Sequence, residues 1–158
     1  MKPDQPLFLN TQQTKHKLEH YCAYKDRCHK EVEQKLYDLK MIPEAKEKII
    51  LHLMQHNFLN EERFAKAFVR GKFSIKKWGK IRIVNELKFK NISAYNIKTG
   101  LKEIDELDYK KTLYALAEKK QATIKESNPY KKTAKLSTYL ISRGFESNLV
   151  YEIAKELS

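Results

Sequence analysis

The sequence predicts an all-α fold built from three tandem three-helix units, and three observations support this fold class. Glycine and proline number only four each in 158 residues, fewer than the turns of a β-rich chain require. Lysine, glutamate and leucine, which favour helices, are abundant. The third observation is a repeat: Leu36, Leu87 and Leu140 occupy the same place in three similar segments and lie 51 and 53 residues apart.

Each repeated segment is expected to form a short helix, a tight turn and a second helix. Five residues after each leucine comes an apolar turn residue, and apolar positions then recur at helical spacing; these turn residues are Met41, Ile92 and Phe145. The residue before each of them is expected to end its helix with a positive φ, which suits glycine or asparagine best. Gly144 and Asn91 fit that position, and Lys40 fits it less well. Ser93 and Pro43 are suited to the starts of the following helices.

A longer helix is expected to precede each hairpin, over residues 14–27, 60–76 and 108–125, which gives nine helices in all. The predicted organisation is a flexible N-terminal lead followed by three repeats: residues 1–13, 14–57, 58–106 and 107–158. A unit of about 50 residues is marginally stable alone, so neighbouring units are expected to share core. The sequence therefore predicts an elongated, curved rod.

The net charge of +12 is concentrated in the middle of the chain. Between Arg63 and Lys90 there are ten basic residues and one acid, Glu86, which gives that segment a net charge of +9. A positive field confined to one segment favours a polyanionic partner. The candidate binding residues in and around this segment are Arg70, Lys72, Lys76, Lys77, Trp78, Lys80 and Arg82.

Several classes of protein are not indicated. No apolar run has the length of a membrane span, and the polar N-terminus lacks the apolar segment of a signal peptide. Cys22 and Cys28 are too far apart to bridge within one straight helix, so a reducing cytoplasm is expected. There is no phosphate loop, serine elbow or zinc-finger spacing, so we expect no enzymatic activity, cofactor or metal. The histidine pairs His16–His20 and His52–His56 have a spacing that could in principle hold zinc. However, residues 52–56 lack the glutamate of a zinc-protease helix, and no spacing resembles that of a zinc finger or ribbon.

Four segments resemble motifs of the RecX family, in the family's order and spacing. Residues 59–69 resemble its L-[DN]-[DE]-x-R-F-A signature, and residues 78–92 resemble its G-x-x-x-I-x-x-E-L-x-x-[KR]-G-I helix. Residues 27–36 and 140–145 resemble its first-repeat and last-repeat motifs. Asn91 and Lys40 depart from the family's usual glycine, and Cys28 stands where a capping serine is common.

This resemblance implies a regulator of the RecA recombinase. Such proteins are three-repeat helical rods that lie in the groove of the RecA–single-stranded DNA filament. They limit its growth and thereby ATP hydrolysis, strand exchange and the co-protease activity of the SOS response. The implied partners are the RecA filament and single-stranded DNA, and binding to double-stranded DNA is left open. The chain is expected to act as a monomer in DNA repair and recombination.

Two residues of the central segment carry competing interpretations. Trp78 could stack on a base or pack between repeats, and packing is favoured. Arg63 is interpreted as structural, locking one repeat onto the next through a carboxylate such as Glu86. Phe64 and Phe68 are expected to join it in the contact between repeats.

Two other functions remain open from the sequence. One is a stand-alone nucleic-acid binder of helix-turn-helix type, although Tyr95, Asn96, Lys98 and Thr99 offer few arginines for guanine edges. The other is a helical-repeat scaffold for a different protein.

Overall fold

The computed structural model describes residues 10–157, which contain nine α-helices and no strand. The helices, in chain order, are α1 Thr11–Tyr24, α2 His29–Asp38, α3 Pro43–Gln55, α4 Glu61–Ser74, α5 Lys80–Phe89, α6 Ala94–Leu101, α7 Glu106–Gln121, α8 Pro129–Ser142 and α9 Ser147–Leu157. The all-α fold of three three-helix units is therefore confirmed. In each unit the first helix packs against the third: α1 on α3, α4 on α6 and α7 on α9.

The first helix of each unit begins at a polar cap, and this moves two starts from their predicted positions. Helix α1 begins at Thr11, three residues early, because Asn10 and Gln13 form a reciprocal capping box. Residues 11–13 of the predicted flexible lead are therefore helical, and residues 1–9 of that lead lie outside the described part. Helix α7 begins at Glu106 because the Asp105 side chain accepts a hydrogen bond from the Asp108 amide.

The hairpin turns have the predicted backbone. Lys40, Asn91 and Gly144 have φ values of 58°, 62° and 98°, which confirms the left-handed residue before each apolar turn residue. The Ser93 hydroxyl accepts a hydrogen bond from the Asn96 amide at 3.1 Å, and Pro43 occupies the first position of α3. These caps satisfy backbone groups that the helix ends leave free.

The buried apolar side chains of the described residues form two clusters. One belongs to the first unit and is centred on Leu18, Val32, Leu36, Ile49 and Leu53. The other runs continuously through the second and third units. It contains the two later anchor leucines and receives Cys28 from the first unit. Neighbouring units therefore share core as expected, and the second and third units do so most fully.

Polar contacts join the first unit to the second. Nε of Arg63 donates to Oδ1 of Asp26 at 2.5 Å, and its Nη2 donates to the carbonyls of Asn57 and Phe58 at 3.0 and 3.2 Å. The expected Arg63–Glu86 pair is wrong, because the loop between α1 and α2 brings Asp26 to the start of α4. Glu86 lies on α5 and forms no ion pair among residues 10–157.

Replacing Arg63 with alanine is expected to lower the free energy of unfolding by about 1–3 kcal/mol. The substitution removes a half-buried ion pair and two hydrogen bonds to backbone carbonyls. Urea unfolding followed by circular dichroism measures the loss. Lys66→Ala is the matched control, since its ion pair with Glu62 at 3.4 Å lies within one helix and is worth at most about 0.5 kcal/mol. Equal losses would show that Arg63 does not join the units.

Candidate functional site

The candidate site lies where the second unit packs against the third, and its backbone approach is close. The Gly79 amide donates to the Arg143 carbonyl at 2.9 Å, and the Ile81 amide donates to the Gly144 carbonyl at 3.0 Å. A Cβ on Gly79 would overlap the carbonyl of Gly144 and the amide of Phe145. The loop between α4 and α5 is thus tied directly to the turn between α8 and α9.

A buried tyrosine bridges the same junction from α7. The Lys80 amide donates to the Tyr109 hydroxyl at 2.9 Å, and that hydroxyl donates to Oε1 of Glu146. Burial, and then the hydrogen bond to the Glu146 carboxylate, raise the pKa of Tyr109 well above its usual range. The hydroxyl therefore stays protonated and keeps its role as a donor to Glu146.

Trp78 lies at the centre of a cationic surface. Its ring is partly buried against the larger core cluster. The Arg82 guanidinium carbon lies 4.1 Å from the ring centroid, and the Lys72 ammonium lies 4.9 Å from it. Cations over an indole ring are attracted by its quadrupole. The ring therefore packs and orients cations, and it presents less free surface for a base than an exposed ring would.

A further arginine fixes the loop that carries the exposed lysines. Nη2 of Arg143 donates to the Lys76 carbonyl and, at 3.2 Å, to the Lys77 carbonyl. Lys77 has a φ of 58°, so this short loop turns sharply between α4 and α5. We name the group Lys72, Lys76, Lys77, Trp78 and Arg82 the Trp78 face.

The ten basic residues of the central segment divide into two groups. Four are paired with acids: Arg63 with Asp26, Lys66 with Glu62, Arg70 with Glu103 and Lys80 with Glu106. In the described part of the chain, the other six have no acid within ion-pair distance: Lys72, Lys76, Lys77, Arg82, Lys88 and Lys90. The four cations of the Trp78 face are all among these six.

This division changes the interpretation of two predicted binding residues. Arg70 contacts Glu103 at 2.6 Å, and the Lys80 ammonium pairs with Glu106 while lying 4.5 Å from the Tyr109 ring centroid. Both cations are neutralised by an acid of the loop before α7 or of its first turn. They contribute less to an outward positive field than the cations of the Trp78 face.

Sequence reasoning missed the residues that hold the junction together. Tyr109 and Glu146 meet across 37 positions, and Arg143 reaches back 67 positions to Lys76. Contacts over such long separations do not follow from the spacing of residues within a helix. Gly79 and Gly144 were visible as two of only four glycines, and each stands within a matched motif. A glycine in an otherwise helical segment was the one available signal of close approach.

The remaining polar clusters do not form a second site of metal-binding type. His16 and His20 approach through their Nε2 atoms at 3.1 Å, and His52 contacts Glu19 at 2.6 Å. Across residues 10–157, no three His, Cys, Asp or Glu side chains are arranged to share a metal ion.

Cys22 is a buried free thiol whose pKa is raised to about 11 by burial. None of the described helices is long and apolar enough to span a membrane.

Comparison with known proteins gives consistent matches. The family model for the second three-helix domain of RecX matches residues 60–101, and the model for its third three-helix domain matches residues 108–153. A regulatory protein RecX of Clostridium botulinum is 33% identical over 80% of this chain and 60% of its own length. That of Finegoldia magna is 32% identical over 87% of this chain and 66% of its own. The chain thus spans about three fifths of the first of these relatives.

Two solved structures share the fold. A crystal structure of regulatory protein RecX superposes with a TM-score of 0.83 at 21% identity, over 92% of this chain and 73% of that one. A crystal structure of RecX from Lactobacillus salivarius superposes with a TM-score of 0.80 at 23% identity, over 93% and 96%. At these identities the likeness concerns the fold.

Fold and site together define a class: a helical-repeat protein whose exposed cations are organised at the junction between two repeats. The matched domain models narrow this class to one family. The chain belongs to the RecX family.

Proposed function

We propose that this chain regulates the RecA recombinase by binding in the groove of the RecA–single-stranded DNA filament. In this role it limits filament growth and, with it, ATP hydrolysis, strand exchange and co-protease activity in the SOS response. It acts in the cytoplasm as a non-enzymatic monomer. Membership of the RecX family supports this function, and the matched relatives carry the name regulatory protein RecX.

The observation that carries the proposal is the Trp78 face. Four cations without acidic partners in the described part of the chain lie around one junction, where backbone hydrogen bonds fix the loop between α4 and α5. Cations on a loop with a fixed backbone suit a repeating array of phosphates or carboxylates, because little loop entropy is lost on binding. A repeat protein can contact several subunits of a polymer at once, and weak contacts then add through multivalency.

The test is RecA-catalysed ATP hydrolysis on single-stranded DNA. Adding the chain at or below the RecA concentration is expected to slow hydrolysis progressively as filaments fail to extend. Bovine serum albumin at the same concentration controls for non-specific protein. Unchanged hydrolysis at stoichiometric concentration would contradict the proposed function.

A second candidate, a stand-alone nucleic-acid binder, is favoured by the exposed surface of α6. Tyr95 is 74% exposed there and Lys98 is also exposed. Gel-shift titrations with single-stranded and double-stranded oligonucleotides separate the two candidates. Weak, salt-sensitive binding without sequence preference supports the filament regulator, whereas tight, sequence-dependent binding without RecA supports the second candidate.

A further inference from the structure

A cleft that shares Lys72 and Lys76 with the Trp78 face lies between the first unit and α4. Its floor is apolar, and its volume is about 270 Å³. The residues of the floor are Phe64, Ala67, Phe68, Gly71 and Ile75. Lys25, Asp26, Lys72 and Lys76 form the rim. The cleft exists because the loop between α1 and α2 is held beside α4 by the Arg63–Asp26 pair.

The size of the cleft limits its ligand. Pockets that enclose cofactors and other small molecules usually exceed about 300 Å³ and bury most of the ligand. This cleft is smaller than that, and its interior is open to solvent along the rim. It has room for one large apolar side chain, which is how anchor residues of protein partners bind.

The charge of the rim indicates which residues would flank the apolar side chain of a bound protein segment. Three lysines surround the floor, and the single acid, Asp26, is already paired with Arg63 at 2.5 Å. The rim therefore presents uncompensated positive charge over an apolar floor. Ile75, at 77% exposure, extends the apolar surface outward from the cleft.

We infer that this cleft docks a protein segment in which one bulky apolar residue is flanked by acidic residues. The apolar residue enters between Phe64, Phe68 and Gly71, and the acids contact the lysines of the rim. This assigns the cleft to a protein partner and leaves the rest of the Trp78 face, with Lys77 and Arg82, for the polyanion. The inference rests on the proposed function only in taking a protein assembly as the partner.

Lys72 connects the two surfaces. Its ammonium lies 5.4 Å from the centroid of the Phe68 ring in the cleft and 4.9 Å from that of Trp78. An acidic segment in the cleft would draw this ammonium toward itself. Occupation of the cleft and contact of Lys72 with the Trp78 ring therefore compete for one cation.

Gly71 provides a clean test of the cleft. A Cβ built on Gly71 meets no atom within 4 Å, so a side chain there projects into open space. Leucine should fill the cleft and also favour the helix, since glycine costs up to about 1 kcal/mol in a helix interior. Gly71→Ala gains the same helical preference while leaving most of the cleft free, which makes it the matched control.

The probe is a short synthetic peptide with glutamates on both sides of one phenylalanine, titrated into the ¹⁵N-labelled full chain and followed by NMR. Amide shifts are expected around Ala67, Gly71 and Ile75. Gly71→Leu should weaken binding by about tenfold or more, equivalent to about 1.4 kcal/mol, and Gly71→Ala should not. Changing the peptide's phenylalanine to alanine, or its glutamates to glutamines, should weaken binding similarly.

Several outcomes would overturn the inference: no shifts at the cleft, equal binding by the alanine peptide, or unchanged binding by Gly71→Leu. Tighter binding by a chain lacking residues 1–9 would make the chain's own N-terminus the occupant and would also overturn it. The ATP hydrolysis assay is scored separately. Peptide binding without RecA inhibition would defeat the proposed function alone, and RecA inhibition without peptide binding would defeat the cleft alone.

Discussion

Replacing Gly79 with alanine is expected to lower the free energy of unfolding by about 3–5 kcal/mol. The added methyl group would overlap the backbone of Gly144 and Phe145, which cannot move aside as a flexible side chain can. Overpacking of this kind costs about 1–3 kcal/mol. Separating the two backbone segments would also break the hydrogen bonds that Gly79 and Ile81 donate, at about 1 kcal/mol each.

Glycine is required at position 79 because the neighbouring backbone leaves no room for a side chain. Gly79 has a φ of −75°, a value that any residue adopts, so alanine itself would introduce no backbone strain. Gly71→Ala provides the control within the same unit, and it is expected to be neutral or to stabilise by up to about 1 kcal/mol. Urea unfolding of both variants measures the difference. Similar stabilities for the two alanine variants would show that the second and third units are not closely joined.

Removing the four cations of the Trp78 face is expected to abolish most of the proposed affinity for the RecA–single-stranded DNA filament at low salt. Alanine at Lys72, Lys76, Lys77 and Arg82 leaves Lys80 in place, because Lys80 is paired with Glu106 at the junction. For every phosphate that the variant no longer neutralises, the log–log slope of affinity against salt concentration should fall by about one unit. We expect affinity to fall by about a hundredfold, on the order of 3 kcal/mol, with little change in helix content.

The matched control removes the same charge from another part of the chain. Lys102, Lys110, Lys111 and Lys119 are exposed residues of the loop after α6 and of α7, and their replacement by alanine also lowers the net charge by four. Fluorescence anisotropy with labelled filaments over a salt series compares the two variants. Equal weakening in both would show that overall charge matters and that the Trp78 face has no special role.

The fold could be predicted largely from the sequence, because it depends on local physical preferences. The scarcity of glycine and proline, the apolar spacing and the hairpin leucines predicted three units. The left-handed residue at Lys40, Asn91 and Gly144 followed from the way helices end. Helix starts were less accurate, since a cap such as Asn10 competes with other polar residues nearby and the capping box decides between them.

The candidate site could be predicted from the sequence only in part. Sequence located the excess charge between Arg63 and Lys90, because charge density is a property of composition. It could not tell which cations are neutralised. Arg70 and Lys80 are paired with Glu103 and Glu106, which lie 33 and 26 residues further along the chain.

The helical units, their turns and the basic character of the middle unit follow from residues that are neighbours along the chain, so the amino-acid sequence was enough to predict them. Tertiary structure alone decided how the units are joined. The Gly79–Gly144 approach, the Tyr109 bridge and the Arg63–Asp26 pair all connect residues that no periodicity relates. Packing brings those residues together, and it leaves Lys72, Lys76, Lys77 and Arg82 at the junction without an acid within ion-pair distance in the described part of the chain.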